Sequence, residues 1–178
     1  LTIVLLGILI FSSSKIVKHE VDLDKNKKVI EKTKEFIDKD KVDFKGLKEK
    51  NPDTIGYIRV NNTNIEYVVV QTSNNDYYLN HNFNKDKNIA GWIFIDYRNN
   101  LDELNRNTII YGHNIINDLM FSTLRYTLNS SWYNNPDNLD ITLNTPSKQL
   151  KARIFSVYVI EDTNDYLYVN FGDEDYTN

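Results

Sequence analysis

At Pro52 the chain changes its periodicity from helical to extended, and that switch leaves few folds open. Before it, residues 15–50 are rich in charge, while Val29, Thr33, Phe36 and Ile37 fall on one face at helical spacing. Asp22 or Asp24 is placed to cap the start of this helix. A second short helix is expected over 43–50, ending at Asn51-Pro52 because a residue ahead of proline avoids the helical region. Beyond Pro52, segments 54–60 (TIGYIRV) and 65–71 (IEYVVVQ) are rich in β-branched and aromatic residues. The turn-forming Asn61-Asn62-Thr63-Asn64 lies between them, so the pair reads as a hairpin. Further strands are expected at 91–96, 108–111, 140–143 and 149–160, the last alternating Leu150, Ala152 and Ile154 with Lys151 and Arg153. A helix near 118–126 would place Met120 and Leu124 on one face. Many short strands with few helices give a mainly β fold, a barrel or a sandwich.

Residues 1–11 (LTIVLLGILIF) are apolar apart from Thr2 and would rise about 16 Å as a helix, roughly half a bilayer's hydrocarbon core. Three readings compete: part of a membrane anchor, the core of a signal peptide, or a buried helix. The anchor is preferred. A signal peptide needs a basic start and a small-residue cleavage site, and a buried helix suits poorly the polar stretch that follows. The charged segment is a solvated helix face, with a spacer role between membrane and domain. The sequence opens on Leu1 rather than Met and stops on Asp173-Glu174-Asp175-Tyr176-Thr177-Asn178 with no closing strand pattern, so both ends are read as cut.

A length of 178 residues suits one folded domain, and a formal charge of −4 supplies no basic excess for nucleic acid. The sequence holds no cysteine, which excludes disulfides, thiolate zinc sites and a thiol nucleophile among these residues. No Gly-x-Ser-x-Gly elbow and no glycine-rich phosphate loop occurs, and no cofactor motif is present. The three histidines, His19, His81 and His113, show no metal-ligand spacing, so no metal site is expected. His19 reads as solvated. His81, beside Tyr77-Tyr78-Leu79-Asn80, reads as a loop histidine bonded to backbone. Asp96, Asp102 and Glu103 lie close in sequence and read as a solvated loop, with paired-carboxylate chemistry as the alternative.

His113 stands apart. It follows the apolar run Thr108-Ile109-Ile110-Tyr111 and then Gly112, whose backbone freedom can turn a strand sharply. Such a turn presents a side chain on a rigid support, and histidine exchanges protons near neutral pH. From these residues alone, packing and proton transfer both remain open.

Several stretches then resemble one family. Asn51-Pro52-Asp53-Thr54-Ile55-Gly56-Tyr57-Ile58 is similar to the start of the class B sortase barrel. Val68-Val69-Val70-Gln71 through Asn75-Asp76-Tyr77-Tyr78-Leu79 resembles its next segment, and Gly91-Trp92-Ile93-Phe94-Ile95-Asp96-Tyr97-Arg98-Asn99 follows in order. Asn107-Thr108-Ile109-Ile110-Tyr111-Gly112-His113-Asn114 resembles the histidine motif, with Met120-Phe121 and Leu124 shortly after. Four pieces in the right order over 51–126 are far more specific than any one of them.

The resemblance implies a mixed β-barrel with N-terminal helices and short interrupting helices, its C-terminal strands missing. It implies a partial membrane anchor over 1–14, a helical segment over 15–50 and an incomplete barrel domain over 51–178. The implied activity is that of a cysteine transpeptidase, anchored in the cell membrane with its catalytic domain extracellular. Such an enzyme joins secreted proteins that carry a sorting signal to the cell wall of Gram-positive bacteria through a thioester. His113 would take the family's histidine position. Asn75, Leu79, Tyr166 and Leu167 would line the peptide groove, the last two with barrel packing as the alternative. Implied partners are a sorting-signal peptide, a cell-wall precursor or peptidoglycan amine, and the membrane; no cofactor, metal or nucleic acid is implied.

The chain departs from the family pattern in one respect. The family's cysteine and arginine fall beyond the region where this sequence stops, and Arg98, Arg106, Arg125 and Arg153 all precede it. The expectation is a fragment, inactive as it stands. A non-catalytic anchored β-domain that binds peptide or partner proteins is the alternative. A pilin-polymerising sortase of another class suits the long N-terminal helices and the 77–79 segment less well.

Overall fold

Strands β3 (Thr54–Val60) and β4 (Glu66–Val70) form the centre of the sheet because their Val, Ile and Tyr side chains can be buried on both faces. They pair antiparallel with Ile58 opposite Tyr67, and the turn is closed by Thr63, whose Oγ1 donates to the Val60 carbonyl and accepts from the Ile65 amide. This computed structural model describes residues 2–39, 41–103, 105–115, 117–160 and 167–169.

Two short strands extend the sheet beyond β4. β5 (Phe94–Ile95) runs parallel to β4, and β6 (Ile110–Tyr111) runs antiparallel to β5. On the other side, β7 (Asp140–Asn144) pairs antiparallel with β3, and β8 (Gln149–Arg153) pairs with β7. The order β6-β5-β4-β3-β7-β8 is a mixed sheet curled into a half-barrel, in keeping with the incomplete mixed barrel expected. A separate hairpin joins β1 (Ile37–Asp38) to β2 (Lys41–Val42). The core gathers on Trp92, which is fully buried, donates Nε1–H to the Val68 carbonyl, and meets Tyr67 edge-on at 6.0 Å between ring centroids.

The expected helix over 43–50 is present as α2 (Phe44–Lys50), capped by the Asp43 carboxylate, which accepts from the Gly46 amide. The expected cap at Asp22 or Asp24 is not found. A single helix, α1 (Thr2–Lys34), runs through both residues and joins the apolar run to the amphipathic segment. No Gly or Pro lies between Phe11 and Lys34 to break it, and Ser14 Oγ bonds back to the Phe11 carbonyl within the helix. Asp24 instead pairs with Lys28 one turn on, while the Asp22 carbonyl accepts from Asn88 Nδ2 at 2.6 Å. From Asp22 onward α1 docks on the body through Leu23, Asn26, Val29, Ile30 and Thr33; the preceding turns stand exposed. By length and composition this helix can cross a membrane, which makes it a candidate anchor.

Other elements are shorter than expected. The strand expected over 149–160 stops at Arg153, and residues 154–160 are irregular and mostly exposed. β7 begins at Asp140, opposite Arg153, so beyond the bond from the Ile154 amide to the Leu139 carbonyl no strand among the described residues pairs with the segment. In place of an α-helix near 118–126 there is a 3₁₀ segment, Ser122–Leu128. Met120 is buried but precedes it, held at φ 54° and bridged to Asn114.

Candidate active site

The 3₁₀ turn Tyr77–Leu79 is the platform on which the site is built. It is fixed from below by Gly91, whose φ of 58° lets the chain pass where a Cβ would meet the Tyr78 carbonyl oxygen at 2.4 Å. Trp92 then donates its amide to that same carbonyl at 2.9 Å.

Both histidines outside α1 grip this turn. His81 Nδ1 lies 2.7 Å from the Tyr77 carbonyl, and its ring stacks on Tyr77 at 4.1 Å. That is the loop histidine expected from the sequence. His113, just after β6, is half-buried, and its Nε2 lies 2.7 Å from the Leu79 carbonyl. The contact joins residues 34 apart in sequence and puts the histidine ring directly over the platform. Its own carbonyl accepts from the Phe121 amide at 3.0 Å, which ties the following loop back on itself.

Gly112 serves this placement for a different reason from the one its sequence position suggested. Its backbone is outside the left-handed region; what it supplies is space. A Cβ there would lie 2.3 Å from Ile93 Cδ1 and 2.8 Å from Phe121 Cδ2.

Asp96 is the residue that sequence reading misplaced. It was expected in a solvated loop, yet its side chain is fully buried at the end of β5. Oδ1 accepts from Arg98 N at 2.9 Å and Nε at 2.8 Å; Oδ2 accepts from Arg98 Nη2 and Asn75 Nδ2, both at 2.8 Å, and Tyr111 OH at 2.9 Å. Burial alone would raise the Asp96 pKa. The hydrogen bonds from Arg98, Asn75 and Tyr111 outweigh it and hold the carboxyl well below the usual range. Arg98 is raised in turn, chiefly by its hydrogen bonds to Asp96. The signal available in the sequence was Asp-x-Arg directly after an apolar strand, a spacing that lets a guanidinium fold back on a carboxylate.

The groove candidates therefore fall into two linked groups. His113 and Leu79 touch directly. Asn75 is held at both ends of its amide, donating to Asp96 and accepting from the Tyr97 amide at 3.0 Å. Leu167 joins that second group through its carbonyl, which accepts from Arg98 Nη2 at 2.8 Å. Tyr166 lies outside the described residues. Leu79 is largely exposed, so its side chain is free to meet a ligand. Among the described residues, no three or more of His, Asp and Glu gather into a metal-binding group.

No family model matches the chain. It is 33% identical over 179 residues to sortase B of Listeria monocytogenes, covering 95% of this chain and 71% of that protein. It is 32% identical over 134 residues to sortase B of Staphylococcus aureus, covering 75% of this chain and 54% of that protein, so it spans only about half of the latter's length. Among solved structures, a Staphylococcus aureus sortase B–substrate complex superposes with a TM-score of 0.70 at 30% identity, over 93% of this chain and 74% of that one.

Proposed function

The chain belongs to the class B sortases, and from that premise we propose that its parent protein is a membrane-anchored cysteine transpeptidase of the cell wall. In this reading the substrate is the sorting-signal peptide of a secreted protein, and the acceptor is an amine of peptidoglycan or its precursor. The catalytic domain lies on the outer side of the membrane, with α1 as the anchor.

The observation that carries the reading is the position of His113, at the end of a strand and 2.7 Å from the Leu79 carbonyl of the platform. In this reading the peptide lies across Leu79 and Asn75, beside the His113 ring. A cysteine thiolate attacks the carbonyl carbon of the sorting-signal threonine, and a tetrahedral intermediate forms. As that intermediate collapses, the C–N bond breaks and His113 protonates the departing amine, leaving a thioester. The wall amine then attacks the thioester, His113 takes its proton, and the C–S bond breaks to release the thiolate. The charge on each tetrahedral oxygen calls for a cationic donor.

None of these 178 residues is a cysteine, so the proposed nucleophile belongs to a part of the parent protein outside them. None of Arg98, Arg106, Arg125 and Arg153 is assigned to the oxyanion; Arg98 is committed to Asp96 and Leu167. The missing thiol also favours a second reading for the chain taken alone, an anchored β-domain that binds peptide without turnover.

The test uses the full-length parent and an internally quenched sorting-signal peptide. His113→Ala is expected to lower cleavage by about 100- to 10,000-fold with the thermal midpoint unchanged. Cleavage within a few-fold of the natural enzyme would exclude the proton-transfer role. Thiol-independent cleavage would exclude the cysteine mechanism.

A further inference from the structure

We infer that Asp96 is a positioning residue for the peptide groove, holding both of its walls through Asn75, Tyr111 and Arg98. The inference rests on the reading of the groove given above. A fully buried carboxylate is costly unless its oxygens are satisfied. Here three separate side chains satisfy it, and each comes from a different segment of the chain.

Asn75 comes from the segment ahead of the platform. Its Nδ2 donates to Asp96 Oδ2, which fixes the amide so that its Oδ1 meets the Tyr97 amide. Tyr111 is two residues before His113, and its hydroxyl ends on the same Oδ2, while its ring stacks on Phe94 at 5.0 Å. Arg98 carries the connection to Leu167, which the reading above assigns to the other wall, because the Nη2 that binds Asp96 also donates to the Leu167 carbonyl. Asn107 secures the same segment, donating from Nδ2 to the Tyr168 carbonyl at 2.7 Å. One carboxylate thus sets the spacing between the Asn75 wall, the His113 strand and the Leu167 wall.

An uncharged amide at this position would break the arrangement without changing its volume. Asp96→Asn presents an N–H to at least one of three groups that are already donors, and Arg98 loses its counter-charge. The groove would still form from the same backbone, with its walls no longer held in register. Such a change acts on substrate binding more than on the chemical step.

The experiment measures kcat and KM of the full-length parent with the internally quenched sorting peptide it cleaves fastest. Asp96→Asn, Asn75→Ala and the double variant are compared, with thermal unfolding followed for each. The expected result is a KM raised about tenfold in Asp96→Asn with kcat changed less than about threefold. Adding Asn75→Ala to Asp96→Asn should raise KM by less than about twofold further, because the two residues act as one unit. An unchanged KM, or fully additive effects in the double variant, would overturn the inference. So would a fall in kcat at constant KM together with a lowered melting point, which is what a purely structural role predicts. If Asp96→Asn does not fold, Tyr111→Phe removes one hydrogen bond to Asp96 and Arg98→Gln removes the guanidinium that makes two; a raised KM in either supports the inference, and an unchanged KM in both overturns it. His113→Ala is run in parallel: full activity there would defeat the underlying reading of the site, a failure separate from that of Asp96.

Discussion

The two flanks of the sheet are built by opposite means. On one side β5 and β6 are two residues long, yet Phe94 and Ile95 are buried and Asp96 beside them is wholly enclosed. On the other, β7 and β8 share a five-residue ladder in unbroken register, yet β8 is mostly exposed and Phe155 just beyond it is 99% accessible. That flank frames an open hollow of about 270 Å³ lined by Leu128, Tyr133, Leu139 and Phe155, among others. Strand length is therefore a poor guide to order in this molecule. Hydrogen bonds from side chains far apart in sequence fix the short-stranded flank: Gln71 Nε2 to the carbonyls of Asp96 and Asn99, Asn99 to Asn107, and the Asp96 cluster itself. On the side of the candidate site such bonds converge on one buried carboxylate; on the other flank they sit at its ends, from Asn61 and Asn62 to Asp137 and Asn138 and from Ser147 to Asp102.

Substitutions can break or sharpen this contrast. The largest effect is expected at Trp92, where Trp92→Ala should cost about 3–5 kcal/mol in chemical denaturation by removing the aromatic centre of the short-stranded side. A cost below about 1 kcal/mol would mean that packing there is not what holds β5. Gly112→Ala is expected to cost about 1–3 kcal/mol, because Ile93 and Phe121 must give way to the new methyl group. Loss of activity well beyond the loss of folded protein would show that the displacement reaches His113.

Acid should act on the same side. The folded-state pKa of Asp96 lies below its unfolded value near 4, so its stabilisation is complete above that value and is lost progressively as pH falls below it. In urea melts from pH 7 to pH 3, the gap between the natural chain and Asp96→Asn should narrow toward the acid end. A constant gap would mean that charge is not the source. The smallest effect is expected on the other flank: Phe155→Ser should change stability by no more than about 0.5 kcal/mol, since its ring is already in solvent. A larger loss would show that the open flank is packed in solution.

The sequence made some parts of this structure legible and hid others for identifiable reasons. The β3–β4 hairpin was readable because strand propensity, a polar turn and burial all agree. α2 was readable because Asn51-Pro52 marks its end, while its Asp43 cap emerges only in the fold. The continuity of α1 was missed because a charged residue inside a helix looks locally like a cap, and only docking shows that Asp22 is in mid-helix. The strand expected over 149–160 failed because alternation describes a face, while a strand also needs a neighbour. At the site, His113 stood out through its position after an apolar strand. Its contact with Leu79, and the gathering of Asn75 and Tyr111 on Asp96, join residues from 15 to 34 positions apart through folding alone. No local spacing encodes them.

The unbroken course of α1 has a geometric consequence. Its apolar stretch ends near Ser14 and its first buried residue is Asp22, so the exposed turns over 15–21 rise only about 10 Å. A candidate anchor and a β-body joined by so short and stiff a shaft share one frame of reference. Each residue added to or removed from that shaft would turn the body by about 100° around the helix axis. The direction in which the His113 face of the body looks, relative to the candidate anchor, is thus written in a residue count rather than in any contact.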